Sequence, residues 1–267
     1  MQIHSMADAG PGRCEAVTGR PHPRLRPYVV GYSGFRTTGD GPVRRTILPL
    51  NFTTLIVDVA RPVRLVTGPR GMPVLDDPAP WRHGVTVGLT PVGVAALLGV
   101  PMGELGGATV DLADLLGDRA ELLAERLGEA PHWRARFAVL DESFTAWLRP
   151  PRRTDDLVTH AWRRLQSERL LVGGLAAELG VSRRRLEVGF RRHVGLTPKT
   201  VARVARFQRA VWALSAPAAT LGAAVACGYA DQPHLTREVR AMSGMTPAAL
   251  FAFVQDIARR RDYRPAP

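Results

Sequence analysis

The chain has 267 residues, 45% of them hydrophobic and 22% charged, and it carries a formal net charge of +12. This composition is typical of a soluble globular protein, and the length allows two domains with separate cores. No apolar run approaches the roughly 18 residues of a membrane-spanning helix, the N-terminus lacks the pattern of a secretion signal, and two cysteines are too few for a disulfide framework or a four-cysteine zinc site. We therefore expect a cytoplasmic protein.

The positive charge is concentrated in the second half of the chain. Residues 1–150 hold 16 arginines and 15 acidic residues, whereas residues 151–267 hold 20 lysines and arginines and nine acidic residues. A GC-rich genome would favour arginine over the single lysine, Lys199, but it does not explain why acids are scarce after residue 150. The asymmetry predicts that the second half binds a polyanion such as nucleic acid.

The N-terminal half begins with residues 1–22, which are rich in Gly, Pro and small polar residues and which we expect to be a disordered lead-in. Short β-branched and aromatic runs then predict strands between about residues 26 and 90. These runs are YVVGYSGF, RRTILPL, FTTLIVDVA, PVRLVTG and HGVTVGLT. Helical spacing follows in PVGVAALLGV, in DLADLLGDRAELLAERLGEA after a cap at Asp111, and in PHWRARFAVLDESFTAWL.

The segment RPPRRTDD, residues 149–156, is rich in Pro and Arg and predicts a domain boundary, so the N-terminal domain spans residues 23–150. His83 has no second ligand at metal-binding spacing, and the Gly-rich segments lack the spacing of a phosphate loop. We therefore predict no metal, no cofactor and no catalytic residue. Four aromatic residues could line a ligand pocket, although such residues more often form sheet core: Tyr32, Phe35, Phe52 and Trp81.

Two segments of the C-terminal half share one pattern. GVSRRRLEVGFRRHVGLTP begins at Gly180, and GYADQPHLTREVRAMSGMTP begins at Gly228. A repeat at a fixed spacing indicates one structural unit used twice. The equivalent residues, each 49 apart, are Ser182 and Asp231, Leu186 and Leu235, Phe190 and Val239, Gly195 and Gly244, Thr197 and Thr246, and Pro198 and Pro247.

The first copy predicts a short helix in GGLAAELG, a tight turn at Gly180, and a second helix from an N-cap at Ser182 to about His193. Leu186 and Phe190 lie one turn apart and face inward. This is the pattern of a helix-turn-helix unit, whose second helix fits the major groove of DNA. The outward face, at i, i+3, i+4 and i+7, carries Arg184, Glu187, Val188 and Arg191.

The second copy repeats this plan with TLGAAVAC, a turn at Gly228 and a cap at Asp231. Leu235 and Val239 face inward. Gln232, Thr236, Arg237 and Arg240 remain on the outside. Between the copies, TPKTVARVARFQRAVWALS predicts a stiff helix of about 17 residues, or roughly 25 Å. One chain could then place helices in two groove openings about 34 Å apart, so a dimer is not required.

These segments resemble the DNA-binding domain of AraC/XylS-type transcription regulators over roughly residues 157–254. The resemblance is most specific in CGYADQPHLTREV, where Val239 replaces the usual Phe. It implies an α+β protein, with a strand-rich sensory or self-association domain that ends in helices, followed by an all-α domain. The all-α domain is expected at residues 155–256, with units at about 171–195 and 220–244, a linker helix at about 198–214, and a basic tail at 257–267.

The resemblance also implies roles for single residues. Bases would be read in the first unit by Arg184, Glu187, Val188 and Arg191, and in the second by Gln232, His234, Thr236 and Arg237. Phosphates would be bound by Arg183, Arg192, Lys199 and Arg240. Family members often have Arg at the position of Val188, and better helix formers at Gly189 and Gly222, so these helices are expected to be only marginally stable.

We expect a DNA-binding transcription regulator that inserts helices 182–193 and 231–242 into successive major grooves. A small-molecule effector or a second chain would act through the N-terminal domain. One alternative is a nonspecific architectural DNA binder, which the charge allows. A weaker alternative is a DNA-repair enzyme that transfers alkyl groups, but this needs an activated cysteine, and the N-terminal half has only Cys14. Cys227 is expected to be a small core residue.

Overall fold

The structure, a computed structural model, describes residues 5–7, 14–37, 45–77, 80–149, 156–216 and 219–260. Antiparallel sheets occupy the N-terminal half and helices occupy the C-terminal half, so the fold class is α+β, as predicted. Most of the predicted boundary segment 149–156 and the end of the predicted basic tail lie outside the described residues. None of the helices in the described ranges is long and apolar enough to cross a membrane.

Two antiparallel sheets form the N-terminal half. The larger sheet has the strand order β2-β3-β8-β5-β6-β9, and the smaller has the order β1-β4-β7. The strands in the described ranges are β1 Ser5–Ala7, β2 Cys14–Gly19, β3 Val29–Thr37, β4 Arg45–Ile47, β5 Thr53–Asp58, β6 Arg64–Thr67, β7 Val74–Asp77, β8 His83–Leu89 and β9 Thr109–Asp111. All five predicted runs contain a strand, while β1, β2, β7 and β9 were not predicted.

The prediction that residues 1–22 form a disordered lead-in is wrong for residues 5–7, where β1 pairs with β4, and for residues 14–22. β2 pairs with the edge of β3, from Cys14 opposite Thr37 to Gly19 opposite Tyr32. After the strand, the backbone N–H of His22 donates to Asp141 at 2.8 Å. This strand exists because an edge strand elsewhere in the chain offers it unpaired backbone groups, and Gly and Pro content does not reveal such a partner.

Four α-helices complete the described part of the N-terminal domain: α1 Pro91–Leu98, α2 Ala113–Leu116, α3 Asp118–Glu129 and α4 Trp133–Trp147. A short 3-10 helix, Met102–Leu105, follows α1. The continuous helix predicted after Asp111 is wrong, because Gly117, with φ of 58° and ψ of −138°, separates α2 from α3. Asp111 does accept a hydrogen bond from the Ala113 N–H at 2.8 Å, as a cap would, but it ends β9.

The C-terminal half is helical throughout its described part. The helices are α5 Asp156–Ser167, α6 Val172–Glu178, α7 Arg183–His193, α8 Pro198–Leu214, α9 Leu221–Val225, α10 Gln232–Ser243 and α11 Pro247–Arg260. The N-caps predicted at Ser182 and Asp231 are confirmed, because each accepts a hydrogen bond from the backbone N–H three residues later, at 3.2 and 2.6 Å. Thr197 caps α8 in the same way, at 3.1 Å.

One hydrophobic core continues from the N-terminal sheet into the first helical unit. Leu55 and Val57 of β5 belong to the same buried cluster as Leu186 and Phe190 of α7. The four aromatic residues that could have lined a pocket are buried core residues: Tyr32, Phe35, Phe52 and Trp81. A second cluster, under α10 and α11, includes Leu48 from the N-terminal domain. The two halves are therefore packed against each other through apolar side chains.

Candidate nucleic-acid interface

The first helix-turn-helix unit consists of α6, a turn at Gly180, and α7. Gly180 has φ of 64°, a left-handed conformation that glycine adopts at little cost. Leu186 and Phe190 are completely buried and hold the inner face of α7 against the core. Their burial fixes the rotation of α7, so the opposite face is turned to solvent.

The outer face of α7 carries the residues predicted to read bases. Val188 is 57% exposed although it is apolar. Within the described part of the chain, Arg184 and Arg191 have no carboxylate partner, so both guanidiniums are available to an external acceptor. The four exposed residues on this face are Arg184, Glu187, Val188 and Arg191.

The second unit repeats this arrangement with α9, a turn at Gly228, whose φ is 111°, and α10. Leu235 and Val239 are buried, so the valine occupies the core position where the resemblance expects a phenylalanine. Thr236 is half-buried and donates its hydroxyl to the carbonyl of Gln232 at 3.0 Å. The exposed side chains on α10 include Gln232, Arg237 and Arg240.

His234 is placed differently from the other predicted base readers of α10. Its Nδ1 accepts a hydrogen bond from the Ala230 N–H at 3.3 Å, and its Nε2 lies 3.6 Å from Glu238 Oε2. The ring also packs edge-on against Tyr229, with 5.3 Å between ring centroids. Both ring nitrogens therefore face protein groups, and the imidazole connects the turn to α10.

Glu238 is a buried charged residue that the sequence analysis missed. Its side chain is 8% exposed and accepts from Arg206 of α8 at 2.6 and 3.1 Å, while Arg203 Nε lies 3.8 Å away. Burial alone would lower the pKa of Arg206, but the hydrogen bond and charge of Glu238 outweigh burial and raise that pKa. The spacing in the sequence could have indicated this burial, because Glu238 follows the inward-facing Leu235 by three residues and so lies on the same side of α10.

The candidate phosphate ligands flank these faces. The guanidinium of Arg183 lies against Gly173 of α6. A Cβ added at Gly173 would be only 2.3 Å from Arg183 Nη2. Lys199 is exposed in the first turn of α8, next to the capped helix N-terminus. Arg192 and Arg240 are also exposed. The structure thus leaves these cations at the surface of the two units, on or beside α6, α7, α8 and α10.

The N-terminal domain contacts the first unit and the linker helix α8. A Cβ at Gly103 would lie 2.2 Å from the carbonyl oxygen of Arg192, so a glycine is required for this approach. Asn51 is buried, and its side-chain Nδ2 donates to the backbone carbonyl of Val201 at 3.3 Å. The backbone carbonyl of Asn51 accepts from Trp162 Nε1 at 3.0 Å. The end of α7 and the start of α8 are therefore both held by the N-terminal domain.

The second unit is also in contact with the N-terminal domain. Gln208 of α8 donates its Nε2 to the carbonyl of Pro49 at 3.0 Å. Leu75 of β7 lies against Gly244, which ends α10 with φ of 72°, and a Cβ there would be 3.2 Å from the leucine Cδ2. Together with the buried Leu48, these contacts connect the sheets to both helix-turn-helix units.

The described residues contain no group of three His, Cys, Asp or Glu residues that could hold a metal ion. Cys227 is half-buried and donates its thiol to the Ala223 carbonyl at 3.4 Å. Burial raises the pKa of the Cys227 thiol, which favours the unreactive protonated form and agrees with the core role predicted for it.

Comparison with known proteins locates the same region. Residues 175–252 match the family described as a helix-turn-helix domain. Two solved structures are similar to this chain: ToxT from Vibrio cholerae, with a TM-score of 0.46 at 10% identity, and an apo form of a ToxT variant from another strain, with a TM-score of 0.44 at 9% identity. Each alignment covers 94% of this chain and 98% of the ToxT chain. No curated protein matches the chain.

The helix-turn-helix match and the exposed helices of the two units support a DNA-binding transcription regulator. Residues 175–252 are a helix-turn-helix domain of the AraC/XylS type.

Proposed function

We propose that the protein is a sequence-specific regulator whose helices α7 and α10 enter successive major grooves of one DNA site. The observation that carries this proposal is the pair of exposed polar faces, built from one repeated plan and joined by α8. The 17 residues of α8 give a rod of about 25 Å, which is of the order of the ~34 Å groove repeat. A single chain would then read both grooves.

Direct readout in the first unit would use the outer face of α7. A guanidinium such as that of Arg184 can donate two hydrogen bonds to guanine, and a carboxylate such as that of Glu187 can accept from cytosine. Exposed Val188 suits contact with a thymine methyl group. Arg191 would extend the same face by one turn of the helix.

In the second unit, Gln232 and Arg237 would contact bases, with Thr236 at the edge of the same face. His234 would contribute to recognition by holding α10, since its nitrogens face Ala230 and Glu238. Backbone N–H groups at the helix N-termini would bind phosphates and fix the register without reading sequence. The cations expected to do the same are Arg183, Arg192, Lys199 and Arg240.

Control would pass through the N-terminal domain. The contacts that support this are Gly103 against the carbonyl of Arg192 and the hydrogen bonds that Asn51 makes with Val201 and Trp162. A small-molecule effector or a second chain that binds the N-terminal domain would change the free energy of these contacts. The separation or orientation of α7 and α10 would change in response.

The experiment that tests specific readout is selection of genomic DNA fragments by the purified full chain, at two salt concentrations and against nonspecific competitor. We expect enrichment of one motif with two informative patches about 10 base pairs apart. A variant with Arg184→Ala and Arg237→Ala serves as the control and should lose the motif while it retains salt-sensitive binding.

The high positive charge of residues 151–267 favours a second candidate, an architectural protein that binds any DNA. This candidate predicts fragments without a common motif, affinity that falls steeply with salt, and no difference between the chain and the double variant. A specific regulator should instead bind its site at least about 10³-fold more tightly than unrelated DNA.

A further inference from the structure

Residues 48–51, which join β4 to β5, contact the linker helix α8 at two points. The side chain of Asn51 donates to the carbonyl of Val201 at 3.3 Å. The buried side chain of Gln208 donates to the carbonyl of Pro49 at 3.0 Å. The two points on α8 lie about two helical turns apart. This short segment of the N-terminal domain is therefore fixed along α8 over that length.

Leu48 extends this contact into the core of the second helix-turn-helix unit. Its side chain is completely buried, in the cluster that contains Leu235 and Val239 from the inner face of α10. Every other described member of that cluster lies within residues 204–254. Ile47, the preceding residue, is buried in a different cluster, among residues of the N-terminal domain. The core of the second unit therefore includes one side chain from the other half of the chain.

The second unit depends on packing for its shape. Its first helix, α9, has only five residues, and a helix of this length is not stable without tertiary contacts. The ion pair of Arg206 and Glu238 joins α10 to α8, and the buried cluster provides the apolar contacts of the inner face of α10. Removal of a buried leucine leaves a cavity that its neighbours fill only in part, so the packing around it loosens.

We propose that Leu48 is a positioning residue for DNA recognition by the second unit, which is therefore not an autonomous reader. Without this side chain, α10 loses its fixed rotation, and Gln232 and Arg237 no longer meet the bases in register. The first unit keeps its reading face, because Leu186 and Phe190 belong to the other cluster. This inference rests on the proposed function, in which α7 and α10 each read part of one site.

The test measures the readout of each unit separately, in the full chain. Three duplexes are titrated: the selected site, the same site with the patch for α7 scrambled, and the same site with the patch for α10 scrambled. For the parent, each scrambled patch should weaken binding by about tenfold or more. For Leu48→Ala, the loss caused by scrambling the α10 patch should disappear, and the loss caused by scrambling the α7 patch should remain. A general loss of stability would instead weaken binding to all three duplexes by a common factor.

Three further variants serve as controls. Leu127→Ala removes a completely buried leucine from α3, and none of the described residues in its cluster comes from α10, so this variant should read both patches. Leu48→Met keeps most of the buried volume and should restore the readout of the α10 patch. Leu48→Val, a smaller truncation than alanine, should show the same changes as Leu48→Ala at lower amplitude.

Hydrogen exchange in the free protein separates this inference from the proposed function. Amides of α10 should exchange about tenfold or more faster in Leu48→Ala than in the parent, whereas amides of α7 and β8 should keep the parental rates. Unchanged exchange in α10, or full discrimination of the α10 patch by Leu48→Ala, would overturn the inference and show that the ion pair of Arg206 and Glu238 suffices. A parent that distinguishes neither patch would refute specific readout, and the exchange rates would still decide whether Leu48 holds α10.

Discussion

Arg206 of α8 and Glu238 of α10 form a two-point ion pair, with Nη2 to Oε2 at 2.6 Å and Nε to Oε1 at 3.1 Å. The carboxylate is buried, and the guanidinium is also stacked over Tyr229 at 5.1 Å from its ring centre. Since α8 connects the two units and α10 carries the second exposed face, this ion pair fixes the rotation of α10 relative to α8.

Replacement of Glu238 should therefore destabilise the C-terminal domain. Glu238→Ala leaves the half-buried Arg206 without its partner, and we expect the free energy of unfolding to fall by about 1–3 kcal/mol, less than for a fully buried pair because the arginine is partly solvated. Urea unfolding measures this change. Glu125→Gln, at an exposed position of α3, is the control, and equal midpoints for the two variants would show that the pair contributes nothing.

Arg184 and Arg185 provide a matched pair for testing base readout. Both are exposed on α7, but only Arg184 shares a face with Glu187, Val188 and Arg191. We expect Arg184→Ala to weaken binding to the selected motif by about tenfold or more, because a bidentate base contact is worth about 1–3 kcal/mol. Titrations of motif DNA and scrambled DNA at two salt concentrations provide the measurement.

Arg185→Ala should instead reduce affinity for motif and scrambled DNA by a similar, smaller factor, because a charge off the reading face acts through phosphates at most. If the two variants lose the same factor on both DNAs, Arg184 is not a base reader.

Substitution of Gly103 by alanine tests whether the two halves of the chain remain in contact in solution. Gly103→Ala would place a methyl group 2.2 Å from the backbone oxygen of Arg192, and backbone cannot move aside as a flexible side chain can. We expect the free energy of unfolding to fall by about 1–3 kcal/mol. Gly128→Ala in α3 is the matched control, because its methyl group would meet its nearest neighbour, the oxygen of Val59, at an ordinary 3.8 Å.

A protease site inserted between Arg149 and Asp156 adds a direct readout. After cleavage, the two halves of the parent should co-elute in gel filtration, and those of the Gly103→Ala variant should separate more readily. If the two halves of the parent separate at once, the contact on which domain control depends does not hold in solution.

Features that depend on residues within one helix turn were predicted correctly in the DNA-binding domain. Features that depend on contacts between distant parts of the chain were missed. Caps such as Ser182 and Asp231 are recognisable because the side chain bonds a backbone N–H three residues away. β2 was missed because its partner strand is set by the folded sheet. Glu238 was missed because an acidic residue in a helix is usually exposed, and its burial depends on Arg206 arriving from another helix. The contact of Gly103 with Arg192 has no signature in the sequence.

The environment of His83 predicts a dependence of stability on pH. Burial lowers the pKa of His83 below its usual 6.5, and the positive charges of Arg36 and Arg136 lower it further, against weaker opposing effects of Asp58 and Glu15. The unfolded chain therefore binds this proton more readily than the folded chain, and stability falls as the pH drops through about 6.5.

Urea unfolding between pH 5.5 and 7.5 measures this effect. His83→Gln should reduce the loss of stability toward acid, whereas His160→Gln, at an exposed position of α5, should show the parent profile. A steeper loss in the His83 variant than in the parent would contradict the assignment.

Gly222 and Gly228 should respond in opposite directions to the same substitution. Gly222 lies inside α9, and a Cβ there would meet Thr220 Oγ1 at 3.5 Å, an ordinary contact. Gly222→Ala should stabilise the second unit by about 0.5–1 kcal/mol, because alanine loses less conformational freedom in a helix. Gly228 has φ of 111°, so Gly228→Ala should destabilise by about 1–3 kcal/mol. Thermal unfolding of both variants measures the difference, and a Gly222→Ala variant less stable than the parent would show that α9 needs its glycine for packing or DNA contact.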